Sequence, residues 1–246
     1  MKFVQHYSGS SGNLYTVESD DGHRLIIDPG VTWKKVRKAL DYDLSGIVAA
    51  LLSHEHKDHS KAVEDILAAG IDVYSSAGTF EALGLTGIRR TKPIADKTLI
   101  RLGAFEVLSF TTNHDAAEPM GFVVRDSIAG EYLLFATDTS HITQRFKLPF
   151  SIIAIECSYD KNILQHRVDT GDINETLAKR LLTSHMEKQT TTKYLTEFCD
   201  LSRCRELHLL HLSRDNIDAG QARREIENRF FIKTVIRGSG TNADEV

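Results

Sequence analysis

Residues 51–60 read LLSHEHKDHS, and the chain reaches them through the continuous apolar run 47–52. A run of that kind suits a strand covered on both faces. It delivers four potential metal ligands, His54, His56, Asp58 and His59, within a few residues of its end. On an extended backbone His54 and His56 point to one side, and the next turn brings Asp58 and His59 around a neighbouring metal position. A lone histidine is more often structural, but a complete HxHxDH cluster reverses that weighting. A zinc finger does not fit, because the three cysteines, Cys157, Cys199 and Cys204, make no CxxC pair.

Working outward, the pattern predicts strands over 3–7, 13–18 and 24–28, with a hairpin at Asp21-Gly22, and a helix over 32–40 with Thr32 as cap. Ser60 is expected to cap a helix over 61–69, followed by a strand over 71–74. Further strands are expected over 99–102, 105–110, 122–125, 132–136, 152–156, 207–212 and 231–236. Helices are expected over 172–182, 191–198 and 218–230. The arrangement is that of two strand-rich halves with helices outside, read as one domain over 1–238 with a frayed tail over 239–246.

Hydrophobic residues make up 41% of the 246 and DEKR 26%, enough for a substantial core under an ordinary charged surface. A net charge of -4 argues against a generic polyanion-coating protein while leaving room for a local positive groove. The sequence holds no long apolar run of membrane-spanning length, and its start, MKFVQHYSGSSGN, lacks the apolar centre of a secretory signal, so a cytoplasmic location without membrane contact is expected.

HEHKDH is similar to the signature of the metallo-β-lactamase-fold hydrolases. The stretch IIDPG with Asp28, His114 in TTNHD, Asp138 in LLFATDT and His211 in LLHLS resemble further motifs of that family. The resemblance implies an αββα sandwich, an α/β fold of two mixed sheets flanked by helices. It also implies one metal held by His54, His56 and His114, a second held by Asp58, His59 and His211, and Asp138 bridging them. Imidazole and carboxylate ligands suit Zn(II) first and Mn(II) second. Asp28, before Pro29-Gly30, is expected to take a hydrogen bond from a ligand histidine and fix its tautomer.

HYSGSSGN, NHDAAEPMGF and LLHLSRDN resemble the YycJ/WalJ-type DNA exonuclease subgroup. That resemblance implies phosphodiester hydrolysis from the 5′ end of single-stranded, 5′-phosphorylated DNA, with Asp58 and His185 serving catalysis. His185, in KRLLTSHMEK, is expected to contact phosphate or protonate the leaving oxygen. The subgroup's glycine before this histidine is Ser184 here. In SGSSGN, Ser8, Ser10, Ser11 and Asn13 offer backbone N–H groups and polar side chains to an anion. Tyr159 stands where the subgroup carries histidine and is a candidate substrate contact. Glu156 reads either as an orienting carboxylate or as a strand-end surface group.

Lys57, Arg145, Lys147, Arg167, Lys179, Arg180, Lys188 and Lys193 are candidates for a backbone-binding track, with Phe146, Tyr159 and Tyr194 as stacking aromatics. The interval between Asp138 and His211 is too short for the module added in the large RNA-processing members. The other readings are a small-molecule or cyclic-nucleotide phosphodiesterase and a noncatalytic, metal-stabilised nucleic-acid-binding module. Oligomeric state is left open.

Overall fold

In the computed structural model, which describes residues 1–237, the apolar runs become strands and the capped amphipathic stretches become helices. The chain starts with β1 (Lys2–Tyr7), β2 (Leu14–Glu18), β3 (Arg24–Ile27), α1 (Trp33–Ala39) and β4 (Ile47–Leu51). Next come α2 (Lys57–Ser60), α3 (Val63–Ala68), β5 (Val73–Ser75), α4 (Ala77–Ala82) and β6 (Thr91–Pro93). The middle is β7 (Leu99–Leu102), β8 (Phe105–Thr111), β9 (Met120–Asp126), β10 (Glu131–Ala136) and β11 (Ile152–Glu156). The remainder is α5 (Lys161–Asp169), α6 (Glu175–Ser184), α7 (Lys188–Phe198), β12 (Glu206–Leu210), α8 (Ala219–Phe230) and β13 (Lys233–Ile236).

The strands form two mixed sheets, one in the order β1-β2-β3-β4-β5-β6 and one in the order β13-β12-β11-β10-β9-β8-β7. The α/β class with two mixed sheets and flanking helices is therefore as expected. The chain divides into two compact units, Met1–Thr111 with Ala116–Glu131, and Thr112–Asp115 with the chain from Tyr132 onward.

In the first unit β1, β2 and β3 pair antiparallel and β3, β4, β5 and β6 run parallel. Val36 of α1, Val63 and Ile66 of α3 and Phe80 of α4 pack with Leu14, Ile26, Ala50, Leu52 and Val73. Ala50 and Leu52 join this helical cluster and Ala49 and Leu51 are fully buried as well, so both faces of the run are covered, which is why 47–52 is apolar throughout rather than alternating. The unit also holds the antiparallel meander β7-β8-β9. In the second unit β10, β11, β12 and β13 run parallel, so each strand ends in a loop on the same side, the arrangement in which residues from separate strand ends meet.

Several expected boundaries move, each for a local reason. The helix expected over 61–69 is α3, two residues later in its start, and a separate short helix, α2, precedes it inside the ligand motif; between the two, Ala62 N–H bonds the Pro29 carbonyl at 2.8 Å. Ser60 is consequently no cap; its hydroxyl donates to the Glu55 carbonyl at 2.8 Å. Thr32 occupies the cap position of α1 but makes no side-chain capping bond. Periodicity does not predict α4, β6 or α5; Ser76 caps α4 and Asp160 caps α5 through their side chains. Asn174 moves the start of α6 to Glu175, and Glu187 starts α7 at Lys188. Phe231 ends α8 in the left-handed conformation, 92% exposed, so the last strand begins after it. The tail expected over 239–246 lies outside the described residues. Among the described residues no helix is long and apolar enough to cross a membrane.

Candidate metal centre

In the first unit the site is built around one carboxylate. Asp28 follows β3 with φ 51° and is fully buried. Its Oδ1 accepts from Ser53 N–H at 2.7 Å, and its Oδ2 accepts from the Ser53 hydroxyl at 2.8 Å and from His59 Nδ1 at 2.9 Å. With its proton directed at Asp28, the Ser53 hydroxyl is the acceptor for His54 Nδ1, 2.9 Å away. Asp28 therefore sets the tautomer of His59 directly and of His54 through Ser53, leaving each Nε2 with its lone pair. His54 Nε2 lies 3.1 Å from His56 Nδ1, a separation that two imidazole nitrogens adopt around a shared proton or a common cation. Asp58 Oδ2 is 3.6 Å from His59 Nε2.

The loop carrying Asp58 and His59 is held from below. Asn13 is fully buried and its Nδ2 lies 3.0 Å from the Asp58 carbonyl and 2.9 Å from His59 Nε2. Gly30 passes so close that a Cβ on it would run into the Asp58 carbonyl. No other residue fits that crossing without moving the motif.

In the second unit Asp138 follows β10 with φ 45° and His211 follows β12 with φ 51°. Thr137 Oγ1 donates to Asp138 Oδ1 at 2.8 Å. Asp138 Oδ2 is 3.6 Å from His114 Nε2, and its Oδ1 is 3.6 Å from His211 Nδ1. His114 Nδ1 donates to the Ser184 carbonyl at 2.8 Å, which aims Nε2 at the carboxylate. Burial holds the His114 pKa below its ordinary value against the opposing pull of Asp138, so the ring is neutral and able to ligate.

Glu156, at the end of β11, completes this half. It is fully buried, with Oε1 2.7 Å from His185 Nδ1 and 3.5 Å from His211 Nδ1. Burial alone would push its pKa up, but the adjacent His185, with His211, outweighs that and holds the carboxyl below its usual range. His185 stacks on His211 with ring centroids 5.0 Å apart. Asp138, Glu156, His185 and His211 each offer one donor atom within 4.8 Å of the others.

The family profile described as Beta-lactamase superfamily domain matches residues 23–176. The chain belongs to that superfamily. Exodeoxyribonuclease YycJ of Bacillus anthracis is 27% identical to it over 226 residues, 85% of this chain and 81% of the relative. Among solved structures, the metallo-β-lactamase fold protein YhfI of Bacillus subtilis is similar with a TM-score of 0.71 and 19% identity, over 97% of this chain and 96% of that one. Igni18, a metallo hydrolase from Ignicoccus hospitalis, is similar with a TM-score of 0.68 and 15% identity, over 97% of each chain. For a metallo-β-lactamase fold, these clustered histidines and carboxylates, with histidine tautomers fixed by hydrogen bonds, imply divalent metal ions.

Other expected site residues lie elsewhere than on an open surface. Of the SGSSGN loop only Ser10 and Ser11 are exposed; Ser8 is buried against the Tyr15 hydroxyl at 2.9 Å and Asn13 supports the ligand loop. Tyr159 packs in an apolar cluster with Leu164, Ile173 and Ala178, and burial pushes its phenol up to about 12. Tyr194 is also buried, its hydroxyl donating to the Gln144 carbonyl at 3.0 Å. Lys188 is committed to Asp160 and Glu225, each at 2.7 Å, and Arg167 to Asn216 at 2.6 Å, which shortens the expected basic track.

Glu156 is no surface group, and the sequence signal for that is its place at the end of the apolar strand 152–156, where burial demands a partner. Ser53, the one polar residue between that earlier apolar run and HxHxDH, carries a similar signal. The Ser184 carbonyl carries none, because any residue supplies a carbonyl.

Proposed function

We propose that this protein is a two-metal phosphodiesterase that removes nucleotides from the 5′ end of single-stranded DNA. The observation that carries the reading is the 27% identity to an exodeoxyribonuclease over 85% of a chain whose own ligand-type residues follow its strands. His54, His56 and His114 are proposed for one ion and Asp58, His59 and His211 for the other, with Asp138 between them. Because the ligand set draws on residues from both ends of the chain, residues 1–238 work as one functional domain. Zn(II) is the first candidate and Mn(II) the second.

Bound ions would supply an activated water and Lewis acidity toward the phosphoryl oxygens. The chain's own residues do the rest. Asp28 and Ser53 keep His54 and His59 in the ligating tautomer. Glu156, anionic and buried, accepts from His185 Nδ1 and so fixes which nitrogen of His185 carries the exchangeable proton. In its doubly protonated form His185 gives the Nε2 proton to the leaving oxygen and is left neutral with its Nδ1 proton on Glu156, whose carboxylate stabilises the imidazolium beforehand. Ser10 and Ser11, on the exposed turn, supply hydroxyls to the 5′-terminal phosphate. A cytoplasmic location follows from the substrate, and the three free cysteines agree with a reducing compartment.

The test uses metal-loaded protein with end-labelled linear strands and sealed circles of the same sequence. Linear strands are expected to shorten from the 5′ end while circles resist. Internal cutting of both at equal rates defeats the exonuclease reading, and turnover confined to cyclic or mononucleotide esters selects the small-phosphodiester alternative.

A further inference from the structure

We propose that Lys179 and Arg180 of α6 clamp a backbone phosphate of the nucleic-acid strand beside His114; this rests on the phosphodiesterase reading and names what holds its substrate. The second unit contains a cleft of ≈ 480 Å³ whose walls are the 113–115 loop and the last turns of α6. His114, Asp115, Lys179, Arg180 and Thr183 line it. Two bonds tie the walls together: His114 Nδ1 to the Ser184 carbonyl at 2.8 Å, and Arg180 Nε to Asp115 Oδ2 at 3.2 Å. One cleft thus holds a proposed metal ligand and two cations.

The chemistry of those cations fits a phosphate. Asp115 engages Arg180 through Nε, which orients the planar guanidinium and leaves its two terminal nitrogens to meet a pair of phosphate oxygens. Lys179 sits 3.5 Å from Glu175 in a pair whose side chains are both about three-quarters exposed. Such a pair is weak, so the ammonium turns to a stronger anion at little cost. Of the charged residues that line the cleft two are cationic and one, Asp115, is anionic, while Glu175, the partner of Lys179, lies outside the lining. The larger groove between α7 and α8 does not compare: its Lys188 is already paired with Asp160 and Glu225, and none of the proposed ligands lines it. The α6 cleft is wide open to solvent, as a passing strand requires, and the clamp takes an internal phosphodiester, leaving the terminal phosphate to other groups.

The experiment measures binding, so that it stands apart from cleavage. Fluorescence anisotropy follows metal-loaded protein with a labelled single-stranded phosphorothioate DNA, a matching RNA, and a methylphosphonate strand that lacks backbone charge. K179A/R180A is compared with wild type and with K34A/R203A, which removes two exposed cations elsewhere. The double α6 variant is expected to bind the charged strands on the order of tenfold more weakly at low salt. Its plot of log affinity against log salt is expected to flatten by about 0.7 for each phosphate that is no longer neutralised. The K34A/R203A variant should follow wild type, and no protein should favour the methylphosphonate. Equal weakening of DNA and RNA assigns the clamp to the shared backbone; weakening of one alone assigns it to that strand. If K179A/R180A binds like wild type, or K34A/R203A weakens binding as much, the clamp is wrong even where the enzyme cuts DNA. If the α6 variant alone loses binding and the wild type leaves natural DNA uncut, the clamp stands and the exonuclease reading falls.

Discussion

Asp28, Asp138 and His211 share a feature that no residue count reveals: each follows a strand and each has a positive φ, at 51°, 45° and 51°. For residues with a Cβ this region costs on the order of 1–3 kcal/mol and persists only where surrounding bonds over-determine it. Asp28 shows what those bonds accomplish, since the same carboxylate meets Ser53 twice and His59 once. Asp28→Asn would set an amide N–H₂ against two donors. Metal affinity is expected to fall about 10- to 100-fold, measured by competition with a coloured chelator; unchanged affinity would remove Asp28 from the site. His185→Ala is expected to keep the metal content and lower DNA turnover by roughly 10²–10⁴-fold. The loss should shrink on an ester with an activated leaving group, which needs no acid. Glu156→Gln should give a milder loss of the same kind. Equal damage to both substrates in His185→Ala would make it a positioning residue and not an acid.

At the scale of elements, the strands other than β6 and the termini of α7 and α8 lie within a few residues of where periodicity puts them, because burial pattern dictates them directly. The start of α3 and the extra helix α2 do not, because what separates the two helices is the Pro29 carbonyl, a partner far away in sequence. Short capped helices such as α4 escape periodicity for a related reason: six residues carry too little of it, and the Ser76 cap is the signal that remains. The starts of α5 and α7 and the middle of α8 are joined by Lys188, which bonds Asp160 and Glu225 at 2.7 Å each. Burial works against its charge, yet those two bonds raise its pKa to about 12, while the Asp160 and Glu225 carboxyls lie below their ordinary values. For the raised lysine, the stabilisation is complete below about pH 10 and disappears as pH climbs through about 12. For the lowered carboxyls it is present above about pH 4 and disappears as pH falls through their folded values. Lys188→Met should therefore lower stability by about 1 kcal/mol at neutral pH, after allowance for solvent screening. Thermal melts should show the gap from wild type narrowing in acid. A gap that stays constant with pH would mean packing of the lysine stem, not its charge, is what α5, α7 and α8 share.

For the whole molecule, the ligand types are legible because HxHxDH concentrates them in one place, whereas His114, Asp138 and His211 become legible only through resemblance. What the sequence could not carry was the support beneath them: Asn13 under the Asp58 carbonyl, Gly30 crossing that same carbonyl, and Glu156 behind His185. All three are contacts between segments distant in sequence, and local pattern says nothing about those. A site so heavily braced is half built before an ion arrives, so binding should add its free energy to the folded state alone. At a free metal concentration 100-fold above its dissociation constant, each ion would contribute about 2.7 kcal/mol. For a chain of this size that corresponds to roughly 5–10 °C in melting temperature. Chelation is expected to lower the melting point by that much or more, and restoring the ion to reverse it. Imidazoles bind metal only when neutral, and burial holds the His114 pKa below its ordinary value, so the stabilisation should be full at neutral pH and decline in acid below that ordinary value. Differential scanning calorimetry of chelated and reloaded protein across that range, with metal content measured on the same samples, decides the matter. Coincident melts at equal pH, with metal shown to be bound in one sample and absent in the other, would mean that the residues around Asp28 and Glu156 hold their places without help and that the ions contribute nothing to the fold.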